Sequence, residues 1–451
     1  MADRADLTDL CRAAVSGAGA EEHAEAYASE SRRTEVKARE RSVDSLTQAA
    51  SRGVGVRVIV GGRLGYAWAA DPDPEEAKQL LISAREAAES GTPDEANVLP
   101  SPVPPERIEG LFRSSVEALE PDRKVSLALE LERATTSAHP DVKRVEEVMY
   151  GDAVSRVAIV STEGVDVDDR RTDCWCAVSA LAERAGETQS GFAFRVAREI
   201  DELEWEECAR ESAERGARLL GGVKPKTGKL PVVLDPWAAA AFLGVLSSSL
   251  SAEEVQKGRS LLAGLVGELA ASEALTVADD GRRPDGPATA PFDDEGVPSS
   301  RTPLIERGVL RGFLHNTRTA RRDGGDSTGN ASRPGYRGPP GVSPTNLVVE
   351  PGPESHQELL RRADRAVYVQ DVKGVHSGAN PVSGQFSVGA SGLRVEAGAL
   401  GEPLREMTIA STLRDMLQSI EAVGSDLRFF PGAGAIGTPT ILVGELTVAG
   451  V

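Results

Sequence analysis

The stretch "RGVGVRVIVGGRLGYAWAA" (residues 52–70) decides how the first half of the chain reads. Val54, Val56, Val58 and Val60 alternate, so they share one face of a strand. Gly61-Gly62 offers a turn without a Cβ at either position, and "RLGYAWAA" returns as a partner strand, a hairpin pattern. Working outward, residues 22–51 also read as β structure and residues 3–18 as a short helix. Asp73 and Pro74 then cap and open a helix, "PEEAKQLLISAREAAES", that Gly91 stops. Residues 91–118 are Pro-rich and polar, a linker pattern.

A second unit of similar order follows. "RKVSLALELERATTSA" is helical; "SRVAIVST", a turn at Glu163-Gly164 and "VDVDDRRTDCWCAVSALAE" are paired strands; "SGFAFRVARE" adds another; "ELEWEECARESAERGARLLGG" is a helix closed by Gly221 and Gly222. After "KPKTGKLPVVLDP", helices are expected over about 236–250 and 253–270. Short strands and Gly/Pro turns follow from 271, as in an antiparallel sheet or barrel. One further helix is expected in "TIASTLRDMLQSIEAVG", with Ile409, Leu413, Leu417 and Ile420 as its stripe, Thr408 as cap and Gly424 as stop. The predicted class is α+β: N-terminal modules over 1–118 and 119–228 with mixed or antiparallel sheets, and a mainly antiparallel, barrel-like domain with a few helices over 229–451.

Composition narrows the function. The 451 residues are 40% hydrophobic, enough for real cores. A net charge of −19 argues against nucleic acid and anionic membranes as partners. Residues 301–340 run against this trend, with eight Arg against Glu306, Asp323 and Asp326, either a solvated loop or a seat for an acidic group. The start has no apolar signal core and no run of about 18 apolar residues occurs, so a cytoplasmic protein is expected. Cys11, Cys174, Cys176 and Cys208 lack a disulfide-framework spacing and are expected to be reduced.

Chemistry-bearing motifs are sparse. His23, His139, His315, His356 and His376 are far apart in sequence, and Cys174-x-Cys176 alone does not complete a metal site. No G-x-S-x-G occurs. Ser247, Ser248 and Ser249, in "FLGVLSSSLSAEE" (242–254), would point in three directions on a helix, so at most one could face a site. They are small packing residues or one is a nucleophile. "GGDSTGN" lacks the Lys of a phosphate loop, and "GAGAIG" at 432–437 precedes strands rather than a helix. There remain dense turn-rich strings at 292–322, 327–333, 343–352 and 378–392. They are plain turns, or exposed backbone that pairs with an extended peptide.

Those strings carry a resemblance. "PFDDEGVPSSRTPLIERGVLRGFLHNTRTARR", "STGNASR", "SPTNLVVEPG", "NPVSGQFSVGASG" and "GTPTILVGELTVAG", with the hairpin "RGVGVRVIVGGRLGYA" and "RSLLAGLVGE", resemble the TldD/PmbA family (modulators of DNA gyrase), and its TldE branch above all. The resemblance implies a cytosolic heterodimeric zinc peptidase in which a TldD-type partner carries H-E-x-x-x-H on a helix. Here the matching helix holds "FLGVLSSSLSAEE". Its ligand slots fall near Leu243, Gly244 and Ser248, none of which is His or Glu, and no Cys follows Cys208. The resemblance therefore implies no metal and no catalytic residue in this chain, zinc in the partner, and an unfolded peptide or small peptide-like substrate. Thr328, Asn330, Arg333, Asn346, His376, Asn380, Ser383 and Gln385 are the residues expected to line the chamber or face the partner. The alternatives are a stand-alone hydrolase using a Ser or His376, and a non-enzymatic protein that binds a topoisomerase.

Overall fold

The hairpin of residues 52–70 sits at one end of a six-stranded antiparallel sheet. Its strands are β1 (His23–Arg39), β2 (Ser42–Val60), β3 (Arg63–Ala70), β4 (Val142–Ser161), β5 (Asp166–Arg184) and β6 (Glu187–Ala197), in the order β3-β2-β1-β4-β5-β6. The structure, a computed structural model, describes residues 5–450. Gly61 and Gly62 both take positive φ (55° and 73°), the left-handed conformation that this tight turn requires. Val54, Val56 and Val58 are fully buried beneath the helices Leu7–Val15 and Pro74–Glu89. Asp73 closes a capping box with Glu76, and Pro74 opens the second of these helices.

The two N-terminal units share this sheet. Each runs helix, three strands, helix, and β1 pairs with β4 from Glu25↔Ser161 to Ala38↔Val148, so the sheet is continuous across their join. The helices Pro121–Ala138 and Trp205–Ala217 cover the second half, over Val148, Tyr150, Cys176 and Val178. Cys174 and Cys176 both point into this core, as the i, i+2 spacing requires.

The C-terminal part holds β7 (Gly228–Leu234), β8 (Val277–Asp280), β9 (Arg301–Glu306), β10 (Val309–Leu310), β11 (Ala331–Ser332), β12 (Gly341–Val342), β13 (Asn346–Val349), β14 (Ala366–Lys373), β15 (Gln385–Glu396), β16 (Ala399–Thr412), β17 (Ile420–Val423), β18 (Arg428–Gly432), β19 (Gly434–Thr438) and β20 (Ile441–Ala449). Pairing runs β7-β14-β15-β16-β20 and back to β7, closing a five-stranded barrel in which only β7–β14 is parallel. A second sheet, β10-β9-β8-β13-β19-β18, lies beside it. The helix Pro236–Ser249 packs in one core with both, its Phe242 ring 4.8 Å from Phe386 of β15. Among the described residues, no helix is long and apolar enough to cross a membrane.

Two expected helices are corrected. Helix continues past the Ser249 end only over Ala252–Gln256, not to 270. Gly258, Gly264 and Gly267 take positive φ (69°, 77° and 87°), which breaks a right-handed run. The helix expected over 408–424 is only Leu413–Gln418, capped by Thr412 rather than Thr408. Ile409 belongs to β16, between Val388 and Val448, and Ile420 to β17. Barrel closure needs Thr408–Ala410 as strand, and that pairing overrides a helical spacing of apolar residues. The Phe242–Phe386 contact in this core predicts that Phe242→Ala lowers unfolding free energy by about 3–5 kcal/mol, read by urea denaturation.

Candidate functional site

The serine-bearing helix offers no reactive hydroxyl. Ser247 Oγ donates to the Gly244 carbonyl (2.7 Å) and Ser248 Oγ to that of Val245 (3.2 Å), each in its own helix. Ser249 Oγ donates to the Pro381 carbonyl (3.3 Å). None is held by a histidine, so the packing reading of these serines fits the geometry. The same helix offers no seat for zinc. Leu243 borders a small apolar void of about 30 Å³ with Leu246, Leu275 and Leu417. Gly244 has no side chain, and a Cβ there would meet Ile436 Cδ1 at 3.3 Å. Among the described residues, no group of three or more His, Cys, Asp or Glu is placed to hold a metal ion. This donor set does not fit zinc.

The Ser249–Pro381 bond ties the helix to a groove at the barrel mouth. The groove has a volume of about 790 Å³, and its polar lining is Ser377, Asn380, Gln385, Ser387, Ser411, Thr412 and Thr447. It contains no charged residue on a chain that is 27% charged. Its rim is rigid. Asn380 Oδ1 accepts from the N–H groups of Val382 (2.9 Å) and Ser383 (3.0 Å), and Gly384 N–H donates back to the Asn380 carbonyl (2.8 Å). Asn380, Ser383 and Gln385 are exposed here, and His376 is exposed on the adjoining turn Val375–Gly378. Hydroxyls and amides without charge suit a neutral, hydrogen-bonding ligand such as peptide backbone.

The other four expected site residues lie elsewhere, in a polar layer in which Asn330, Arg333 and Asn346 are buried and Thr328 is half-buried. Thr328 Oγ1 donates to Asn330 Oδ1 (2.7 Å), and Asn330 Nδ2 donates to Asp279 (2.6 Å). Asn346 is fully buried; it donates to the Asp280 carbonyl (2.7 Å) and Thr289 Oγ1 (3.0 Å), and accepts from Ala288 N–H (2.9 Å). Arg333 binds the Asp294 carbonyl through Nε (2.9 Å) and pairs with Glu25. These residues shape loops; their polar groups face inward. The structure thus divides the eight into a groove rim and an interior lock.

The lock reaches residues that motif reasoning missed. Arg57 of β2 bridges Glu25 (2.7 Å) and Glu295 (2.8 Å), all three buried. Tyr27 Oη donates to Asp294 (3.3 Å), and Tyr66 Oη to the Tyr336 carbonyl (2.8 Å). The signal was a lone charge, Arg57, inside a valine run. Four carboxyls (Glu25, Asp293, Asp294, Glu295) face two guanidiniums (Arg57, Arg333). Burial pushes the Asp293 carboxyl well above its ordinary value, helped by the Glu295 charge, and burial raises Asp294 too. Burial opposes the Glu295 charge as well, but Arg57 and the Thr317 N–H outweigh it and hold that carboxyl low. Glu25 and Glu295 are the two carboxyls that pair directly with the guanidiniums.

Two outcomes follow for this layer. Arg57→Met leaves the buried Glu295 without its guanidinium partner and Glu25 with Arg333 alone, and should cost about 3–5 kcal/mol of stability; a loss under about 1 kcal/mol in urea unfolding would count against the lock. Burial also raises Asp279 from 3.8 to about 6. A raised folded value stabilises below the unfolded value, and that contribution is lost as pH rises through the folded one. The stability difference between Asp279→Asn and the parent should therefore shift in the variant's favour by ~2–3 kcal/mol from pH 4 to 7, measured by denaturation at each pH.

The whole chain has known relatives. Family models described as PmbA/TldA metallopeptidase domain 1, central domain and C-terminal domain match residues 24–88, 114–220 and 227–450. An uncharacterised protein of Methanocaldococcus jannaschii is 31% identical over 77% of this chain and 78% of its own. Metalloprotease PmbA of Escherichia coli is 25% identical over 96% of this chain and 93% of its own. A crystal structure described as a putative modulator of a DNA gyrase, from Thermotoga maritima, superposes with a TM-score of 0.89 at 30% identity, covering 98% of this chain and 99% of that one. TldE from Thermococcus kodakarensis superposes at 0.88 with 25% identity, covering 95% and 97%.

Proposed function

Because the chain belongs to the PmbA/TldD metallopeptidase family, we propose that it is a TldE/PmbA-type subunit of a zinc peptidase whose metal and H-E-x-x-x-H helix come from a TldD-type partner. The observation that carries this reading is the helix Pro236–Ser249, which presents Leu243, Gly244 and Ser248 and no metal donor. The likeness to a solved TldE supports it. In this reading the chain supplies one wall of a cytoplasmic peptide chamber. Asn380, Ser383, Gln385 and His376 stand on its rim, and Thr328, Asn330, Arg333 and Asn346 hold the loops behind it. The uncharged lining suits main-chain amides of an unfolded peptide, a substrate recognised by backbone rather than by side-chain charge.

The test is to purify the chain alone and together with an H-E-x-x-x-H relative, then measure zinc content and cleavage of an unfolded peptide in each. The expected outcome is zinc and cleavage in the complex and neither in the chain alone. Stoichiometric zinc and full cleavage by the isolated chain would overturn the assignment.

A further inference from the structure

Two sheets end side by side. β6 is the last strand of the N-terminal sheet, and β18 is the last strand of the second C-terminal sheet. A cavity of about 1040 Å³ lies between them, with Phe194, Arg195 and Val196 of β6 on one side and Arg428 and Phe429 of β18 on the other. The start of the helix Trp205–Ala217 forms a third wall. The two sides are tied together: Glu211 accepts from both terminal nitrogens of Arg428 (2.7 and 3.0 Å) and pairs with Arg195 (2.7 Å). The cavity shares no lining residue with the groove at the barrel mouth.

The chain is only 4% aromatic, yet four of its nine Phe and two of its four Trp gather at this seam. Phe192 and Phe430, on the same two strands, hold Trp237 between them with ring centroids 4.8 and 5.4 Å away. That trio is closed on itself. Phe194, Trp205 and Phe429 instead line the cavity. Phe429 already carries the Arg283 guanidinium (5.7 Å), which shows that a cation sits well on its face. Among the described residues, no ring or cation stacks on Phe194 or Trp205, and both are half-buried beside open volume.

Charge points the same way. Five carboxylates and three guanidiniums share the lining. Every guanidinium is engaged: Arg123 with Glu130 (2.8 and 3.0 Å), Arg195 and Arg428 with Glu211. Three carboxylates are engaged as well, Glu204 with Arg195 (3.6 Å), Glu207 with Arg210 (2.6 Å) and Asp285 with Arg283 (2.7 Å). Asp201 and Glu206 have no partner among the described residues. Glu206 also suits the first turn of its helix; Asp201 stands before that helix, on the turn Ile200–Glu202. Open aromatic faces attract a cation through the ring quadrupole, and free carboxylates attract the same charge. An anion would meet no free guanidinium.

We propose that this cavity binds an organic cation, an ammonium or guanidinium on an apolar stem, its charge held by Asp201 and Glu206 and its stem by Trp205 and Phe194. A free amine and the Lys or Arg side chain of a peptide share that chemistry. The site does not rest on the peptidase reading: binding is measured on the chain alone, and either can fail without the other. The test is calorimetric titration of the full chain with agmatine, which carries both cationic groups on one alkyl stem, with a blocked tripeptide holding a central arginine, and with the same tripeptide holding uncharged citrulline. Saturable binding of a cationic probe is expected. Agmatine alone would assign the site to free amines, and the arginine peptide would assign it to peptide side chains, with the citrulline peptide weaker by about tenfold or more. The double variant Asp201→Asn/Glu206→Gln should weaken binding by about tenfold or more with an unchanged melting temperature, because both residues are exposed and unpaired. Trp205→Leu, which keeps an apolar body and removes the ring face, should weaken it by about threefold or more. No saturable binding of either cationic probe at millimolar concentration, a citrulline peptide that binds as tightly as its arginine parent, or a double variant that binds as tightly as the unaltered chain would overturn the proposal.

Discussion

The bridge from Arg57 to Glu25 and Glu295 is the constraint on which the rest of the architecture depends. It joins the second strand of the N-terminal sheet to a loop more than two hundred residues away in the chain. Every charge in it is out of water, so each needs its partner, and the partners come from both halves of the molecule. Backbone N–H groups of Glu295, Val297 and Ala331 satisfy the Asp293 oxygens. The strings "PFDDEGV" and "STGNASR" are therefore the two loops that close over Arg57, Glu25 and Tyr27. Their polar density serves assembly of the fold.

That closure sets the position of everything on the C-terminal side. The loop ending in Asn330 and Ala331 is pinned to Asp279 of β8 and to Asp293. β8 and β13 carry the sheet against which the helix Pro236–Ser249 packs, and the end of that helix holds Pro381 at the groove rim. A chain of contacts thus runs from the N-terminal sheet to the barrel mouth.

Much of the fold was legible. The valine alternation, Gly61-Gly62, the Asp73-Pro74 start and the helix–strands–helix order of both N-terminal units follow from local periodicity and turn chemistry, and the structure has them. Two helices did not. The pattern Ile409, Leu413, Leu417 and Ile420 has helical spacing, but closing the barrel takes Ile409 and Ile420 into strands. The run after Gln256 is apolar enough for a helix, yet its glycines turn it aside. Of the eight expected site residues, the sequence could name polar positions but could not separate those facing a groove from those locked inside, because both kinds look alike in turn-rich strings.

The sequence by itself determined the α+β class, the family and the lack of metal donors at Leu243, Gly244 and Ser248, since these rest on residue identity and short-range spacing. Only the tertiary structure decided that two N-terminal units form one sheet, that a barrel closes through β16 and β20, and that Arg57 is the centre of a buried charge lock. Those outcomes depend on pairing between residues far apart in the chain. No local pattern encodes which strand edge finds which partner, or which of several charges will be buried together.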